Sequence, residues 1–175
     1  MKFRETEVSG VYEIGLEERT DERGFFARSW CQEEFAERGL NARIAQCNIS
    51  FNARRGTLRG LHYQSPPFPE AKVVRCTRGA IYDVAVDLRR ESPTFCKWVG
   101  VELSSENRKS LYIPEGCAHG FLTLTDDTEI FYLMSEFYHA DLSRGVRWND
   151  PAFRVGWPRR VEVISDRDST YPDFK

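Results

Sequence analysis

One of three histidines in the chain, His62, stands in RGTLRGLHYQ (55–64), three residues after Arg59 and ten before Lys72. Leu58, Leu61 and Tyr63 suit a half-buried strand, so the imidazole must face a core, a metal or a substrate. An imidazole in water titrates at about pH 6.5 and accepts a proton near neutrality. Arg59 and Lys72 disfavour the charged ring, and the same cations suit an enolate oxygen formed beside a ketone. The group therefore fits proton abstraction from a carbon next to a carbonyl. Inversion of that carbon also needs an acid on its other face. Tyr132 and Tyr138 in TEIFYLMSEFY (128–138) are the candidates, while His139 at the end of that run reads as solvated.

His119 follows IPEGCA, where Pro114 and Gly116 make a turn that delivers a side chain at the start of the next strand. The spacing Pro114-x-Gly116-x-x-His119 resembles the second motif of the cupin superfamily, the jelly-roll-like β-barrels. Metal-binding cupins carry two histidines one residue apart in their first motif. Here the matching place reads His62-Tyr63-Gln64. A transition metal ordinarily wants three or more protein ligands, so His62 and His119 alone argue against a metal site.

The elements that must position these groups read as short strands. ARIAQCNIS (42–50), TLRGLHYQ (57–64), KVVRCT (72–77), AIYDVAVDL (80–88), KWVGVEL (97–103), KSLYIP (109–114), GFLTLT (120–125) and TEIFYLMSEFY (128–138) are rich in β-branched and aromatic residues. In the fourth, Ile81, Asp83, Ala85 and Asp87 point one way, and Tyr82, Val84, Val86 and Leu88 the other. Compact turns between the runs predict an antiparallel sandwich or barrel. One helix is expected in WCQEEFAER (30–38), with Ser29 and Gln32 as a capping box and Gly39 as its stop. SPPFPEA (65–71), with three prolines, is a loop.

No linker or repeat divides the 175 residues, so 1–175 is expected to be one domain. A net charge of −2 argues against bulk binding to nucleic acid or an anionic membrane. No apolar run reaches the roughly 20 residues of a membrane span, and MKFRETEVSG lacks the apolar core of a secretory signal. The five cysteines, with no CxxC pair, read as small buried residues in a reducing cytoplasm.

Several of these segments, in order, resemble the dTDP-4-dehydrorhamnose 3,5-epimerase family: RGTLRGLHYQ, the run from KVVRCTRGAIYDVAVDL to PEGCAHGF, and SRGVRWNDP. The likeness runs from DERGFF (21–26) to ISDRD (164–168). It implies a homodimeric cupin barrel with a short N-terminal helix and peripheral C-terminal segments, needing neither metal nor cofactor. The implied activity is epimerisation of a nucleotide-linked 4-keto-6-deoxy sugar at carbons 3 and/or 5, with dTDP-4-dehydro-6-deoxyglucose as the expected substrate. By position, the resemblance makes His62 the base, Asp168 the carboxylate that orients it, Lys72 the cation near the enolate oxygen and Tyr132 the acid. Arg59 and His119 line the same pocket in the family. Arg23 matches a diphosphate contact, and Gln46 and Asn48 lie on the nucleotide path. Tyr138 and Arg167 complete the expected substrate-binding set. In the family the arm carrying Arg23 crosses to the partner subunit, so the active sites are expected to be shared.

Two positions depart from the family pattern, which usually has acidic residues where this chain has Arg28 and Ser143. Thymine, uracil and guanine offer a ring N–H to a carboxylate, whereas arginine can only donate. An Arg28 at the base edge would suit a CDP-sugar and a 3- or 5-mono-epimerase; one turned to solvent or phosphate would carry no such preference. Two further alternatives stand beside the enzyme reading: a non-catalytic cupin that binds a nucleotide sugar, and a metal-dependent cupin isomerase or oxygenase.

Overall fold

Alternation along the strands builds two antiparallel sheets that share one interior. The computed structural model describes residues 1–175. The larger sheet contains β1 (Lys2–Glu5), β2 (Tyr12–Gly15), β10 (Ser110–Ile113), β7 (Lys72–Arg78), β12 (Thr128–Met134) and β5 (Gln46–Asn52), paired in that order. The smaller runs β13 (Ser143–Gly145), β6 (Leu58–Gln64), β11 (Cys117–Thr123), β8 (Ala80–Asp87) and β9 (Trp98–Ser104). A separate hairpin joins β3 (Arg19–Asp21) to β4 (Gly24–Phe26). The result is a nearly all-β, cupin-like jelly roll. The two sheets pack face to face, with no ladder closing them into a continuous barrel.

Inward residues of both sheets meet in one core. Val74, Leu111 and Ile130 from the larger sheet pack against Ile81, Ala85, Leu103 and Phe121 from the smaller, all at most 1% exposed. The opposite face of β8 contributes Val84 and Val86 to a second cluster with Leu61, Val146 and Phe153, beneath the C-terminal segments. The alternation expected for β8 therefore holds on both faces. Each buried side chain of this size stabilises the fold by roughly 1.5–3 kcal/mol. A third cluster, with Phe35, Ile14, Val73 and Tyr112, covers the outer face of the larger sheet. Apolar filling occupies only part of the interior; the remainder holds polar side chains.

Several expectations shift. The helix, α1, is confined to Gln32–Ala36, with Cys31 rather than Ser29 at its N-cap and no side-chain cap bond. Its stop is as expected, since Gly39 adopts φ +68° where a side chain is strained. What holds so short a helix is Phe35, which is fully buried against Phe3 and Tyr112. β5 starts at Gln46 rather than Ala42, and β12 ends at Met134, so Tyr138 lies beyond the strand. β11 begins at Cys117, which puts His119 inside it rather than at its start. β1 to β4 and β13 were not anticipated. Of the five cysteines only Cys76 and Cys117 are buried, whereas Cys47 is exposed. Burial pushes the thiol of Cys76 up to about 11 and that of Cys117 up to about 12, leaving both inert. His139 is not simply solvated: its ring stacks on Phe68 at 4.5 Å.

Candidate active site

A β-bulge aims the first two groups. His62 on β6 pairs with His119 on β11, but the next pairing joins Arg59 to Phe121. Three residues on one strand thus match two on the other. Strict alternation would turn Arg59 and His62 to opposite faces; the extra residue lets both line the same cavity. Gly60 makes the bulge possible, with φ +132°. A Cβ there would come within 2.5 Å of the Gly120 Cα.

The C-terminal tail supplies the carboxylate. Thr57 bridges Val163, and the Leu58 N–H donates to the Val163 carbonyl at 2.8 Å, which lays the tail along β6. The short helix α2 (Asp166–Ser169) follows, its Ser165 cap accepting from the Asp168 N–H at 3.1 Å. Asp168 is buried, with Oδ1 2.7 Å from His62 Nε2 and Oδ2 accepting from the Gly60 N–H at 3.2 Å. Burial pushes its carboxyl up, but the His62 bond and charge, with Gly60 and Ser165, outweigh burial and hold it below the usual range. With Nε2–H donating to a carboxylate, the lone pair of His62 available to a substrate proton is on Nδ1.

Tyr132 arrives from the other sheet. On β12 it follows Ile130 on the inward face, so it stands at the edge of the shared core and looks toward β6 and β11. Loss of water, and then the nearby Asp83 charge, push its phenol well above the ordinary tyrosine range; Ser50 and Arg59 act in the opposite direction. It stays protonated, as a proton donor must. Lys72 opens β7 almost fully buried, with Nζ 3.3 Å from the His62 carbonyl.

His62, Lys72, Arg59, His119, Tyr132 and Asp168 therefore line one chamber of about 300 Å3. A second chamber of about 420 Å3 shares Asn48, His62, Lys72 and Met134 with it and adds Gln46, Tyr138, Ser143 and Arg167. The Tyr138 N–H donates to Gln46 Oε1 at 2.9 Å, and Arg167 donates to Ser143 Oγ at 3.0 Å. A wider groove of about 1060 Å3 beside β9 lacks this convergence; its Glu13 is already paired with Arg4 and Lys109.

Arg23 and Arg28 are not brought to either chamber of their own chain. Arg23 is exposed and clasps Asp21 at 2.5 Å, and Arg28 pairs with Glu34 at 3.0 Å. Within its own chain the Arg28 guanidinium is engaged by Glu34 on the N-terminal segment and faces neither chamber. Sequence reasoning missed Asp83, which lies 2.7 Å from His119 Nε2 with no exposure. The signal was present, since β8 places an aspartate on the inward face between Ile81 and Ala85. It also missed Tyr171, whose ring meets His62 edge-on at 6.3 Å. No pattern in the tail announces it.

A jelly roll with a carboxylate-bonded histidine on one sheet and a buried lysine and a protonated tyrosine on the other has the make-up of a cupin-type isomerase. A family model described as dTDP-4-dehydrorhamnose 3,5-epimerase matches residues 5–175. The chain is 43% identical to the dTDP-4-dehydrorhamnose 3,5-epimerase of Sinorhizobium fredii over 99% of its own length and 90% of that protein's. Its fold superposes on the Elizabethkingia anophelis enzyme with a TM-score of 0.96 at 38% identity, covering 99% and 96% of the two chains. A Bacillus anthracis enzyme that holds TDP and pyrophosphate gives 0.94 at 39% identity, covering 99% of each. The chain belongs to the dTDP-4-dehydrorhamnose 3,5-epimerase family.

Proposed function

We propose that this chain, acting as one domain, epimerises a dTDP-linked 4-keto-6-deoxy sugar, dTDP-4-dehydro-6-deoxyglucose, at carbons 3 and 5. The observation that carries the reading is the placement of His62 and Tyr132 on opposite sheets across one small cavity. His62 Nδ1 takes the proton from a carbon flanking the ketone, and the electrons move onto the keto oxygen. Lys72 stabilises the enolate that forms, a charge absent from the ground state. Asp168 stabilises the imidazolium. Tyr132 returns a proton from the other face and inverts the carbon; the enolate electrons re-form the ketone. No redox change occurs, so the chemistry calls for no cofactor.

The larger chamber suits the nucleotide, with Tyr138 offering an aromatic face and Arg167 a planar fork for diphosphate oxygens. Relatives named for dTDP substrates, and the TDP in the Bacillus anthracis structure, favour thymidine over cytidine. Arg23 and Arg28 sit on or beside an exposed hairpin whose Phe26 is 74% exposed, and the edge strand β5 leaves Ile49 66% exposed. These surfaces suit a homodimer in which the hairpin of one protomer reaches the cavity of its partner. No helix is long and apolar enough to cross a membrane, and five free cysteines suit a reducing compartment, so the reading places the enzyme in the cytoplasm.

The test is incubation with dTDP-, CDP- and GDP-linked 4-keto-6-deoxy sugars in deuterium oxide, with products read by NMR. The dTDP sugar is expected to take up deuterium at carbons 3 and 5 with inversion, and His62→Ala to abolish uptake. A wild-type protein that exchanges nothing with any of them overturns the proposal; binding without exchange favours the non-catalytic reading.

A further inference from the structure

One charged group in the cavity wall has no part in that reaction. Glu70 and Lys72 flank Ala71, whose N–H donates to Ser135 Oγ at 2.7 Å and whose carbonyl accepts from the Ser135 N–H at 2.9 Å. Side chains two apart on an extended backbone leave on the same side, and both line the larger chamber. Glu70 Oε1 lies 3.0 Å from Lys72 Nζ, with their side chains only 9% and 8% exposed. An ammonium has three N–H donors. The ammonium is ion-paired with Glu70, one N–H donates to the His62 carbonyl at 3.3 Å, and no other protein acceptor meets it. Lys72 also lines the smaller chamber.

A carboxylate beside a cavity that admits a diphosphate works against binding. Its compensation is control of the lysine. A free lysine has four rotatable bonds and, from this position, would swing toward the phosphates in the ground state, a contact that improves affinity without lowering the barrier. We propose that Glu70 is a positioning residue. It holds Lys72 Nζ beside His62, so that a free N–H faces the place where the enolate oxygen develops. The inference rests on the function proposed above and assigns Glu70 a part in it.

Steady-state kinetics with dTDP-4-dehydro-6-deoxyglucose test it. Glu70→Ala is expected to lower kcat roughly 10- to 100-fold, as a misplaced catalytic group does, while KM stays level or falls. Glu70→Gln keeps an acceptor and should recover part of kcat; it also serves if Glu70→Ala does not fold. In a Lys72→Met background, Glu70→Ala should change kcat by less than about 2-fold, because its effect runs through the lysine. An equal loss in both backgrounds, a raised KM with kcat intact, or a Glu70→Ala enzyme indistinguishable from wild type overturns the role. A wild-type enzyme that does not turn over defeats the proposed function itself, which separates the two failures.

Discussion

His62 Nε2 and Asp168 Oδ1 lie 2.7 Å apart although 106 residues separate them in the chain. The second oxygen of the same carboxylate accepts from the Gly60 N–H, so Asp168 fixes both the imidazole and the backbone of the bulge that aims it. Asp168→Asn should lower kcat roughly 100-fold or more, by weakening the orientation of the ring and its stabilisation once charged. KM should change little. The folded carboxyl is held below its ordinary value, so its contribution to stability is present above that value and is lost as pH falls through the lowered one. Asp168→Asn should therefore flatten the acid limb of a stability profile followed by denaturant unfolding.

Gly60→Ala tests the bulge. The new methyl would meet the Gly120 Cα at 2.5 Å and the His119 carbonyl at 3.0 Å, both backbone groups that cannot step aside. Strain at φ +132° adds to the overlap. Stability should fall by about 1–3 kcal/mol. Deuterium uptake should fall roughly 100-fold even in the fraction that folds, because His62 and Arg59 lose their common direction. Urea unfolding and exchange measured on the same sample check both parts.

These two sites show what the sequence reveals and what it hides. The β-branched runs disclosed most of the long strands, and the alternation in AIYDVAVDL placed its two faces correctly, because half-buried strands must alternate. His62 and Lys72 were readable as a pair, but the residues alone left Tyr132 and Tyr138 both open as the acid, and only the family likeness chose Tyr132. The bulge was not readable, since the need for an extra residue arises only where β6 meets Gly120 of β11. Nor was Asp168 readable except by family likeness, because it reaches the site through a tail held by backbone bonds that any side chains allow. The hairpin β3–β4 escaped for another reason: its strands are three residues each and exposed throughout, with no buried face to impose a pattern. The capping box at Ser29 failed because Phe35, rather than the cap, holds the helix.

Asp87 makes a prediction about stability in acid. Its carboxylate is fully buried and accepts from the Arg89 N–H, Nε and Nη2 and from the hydroxyls of Ser92 and Thr94. Burial alone would raise its pKa, but these donors outweigh burial and lower it from 3.8 to about 2. A depressed carboxyl stabilises the fold above its unfolded value, so about 2 kcal/mol should be lost as pH falls from about 4 to about 2. Asp87→Asn should remove that dependence and destabilise the protein at neutral pH by roughly 1–3 kcal/mol, since the donors of Arg89, Ser92 and Thr94 lose a charged acceptor. Thermal unfolding at pH 7 and in acid distinguishes this from a loss spread over the many surface carboxylates.

Tyr132→Phe separates the two halves of the reaction. The variant keeps the ring that packs against the core and the edge-on contact with His119 at 6.2 Å, so the cavity should hold its shape. Proton removal by His62 does not require the phenol. Deuterium should still enter the sugar, within about 10-fold of the wild-type rate, because His62 can return a solvent-derived proton to the face it took one from. Inversion, which needs delivery from the opposite face, should fall roughly 100- to 1,000-fold. Tyr138→Phe should behave differently: Tyr138 is 59% exposed, lies past the end of β12 and lines only the larger chamber, so its loss should raise KM and leave inversion intact. If exchange fell with inversion in Tyr132→Phe, the phenol would be needed for proton removal itself, and if inversion survived, another group would deliver the proton; either result would overturn the assignment of base and acid to opposite sheets.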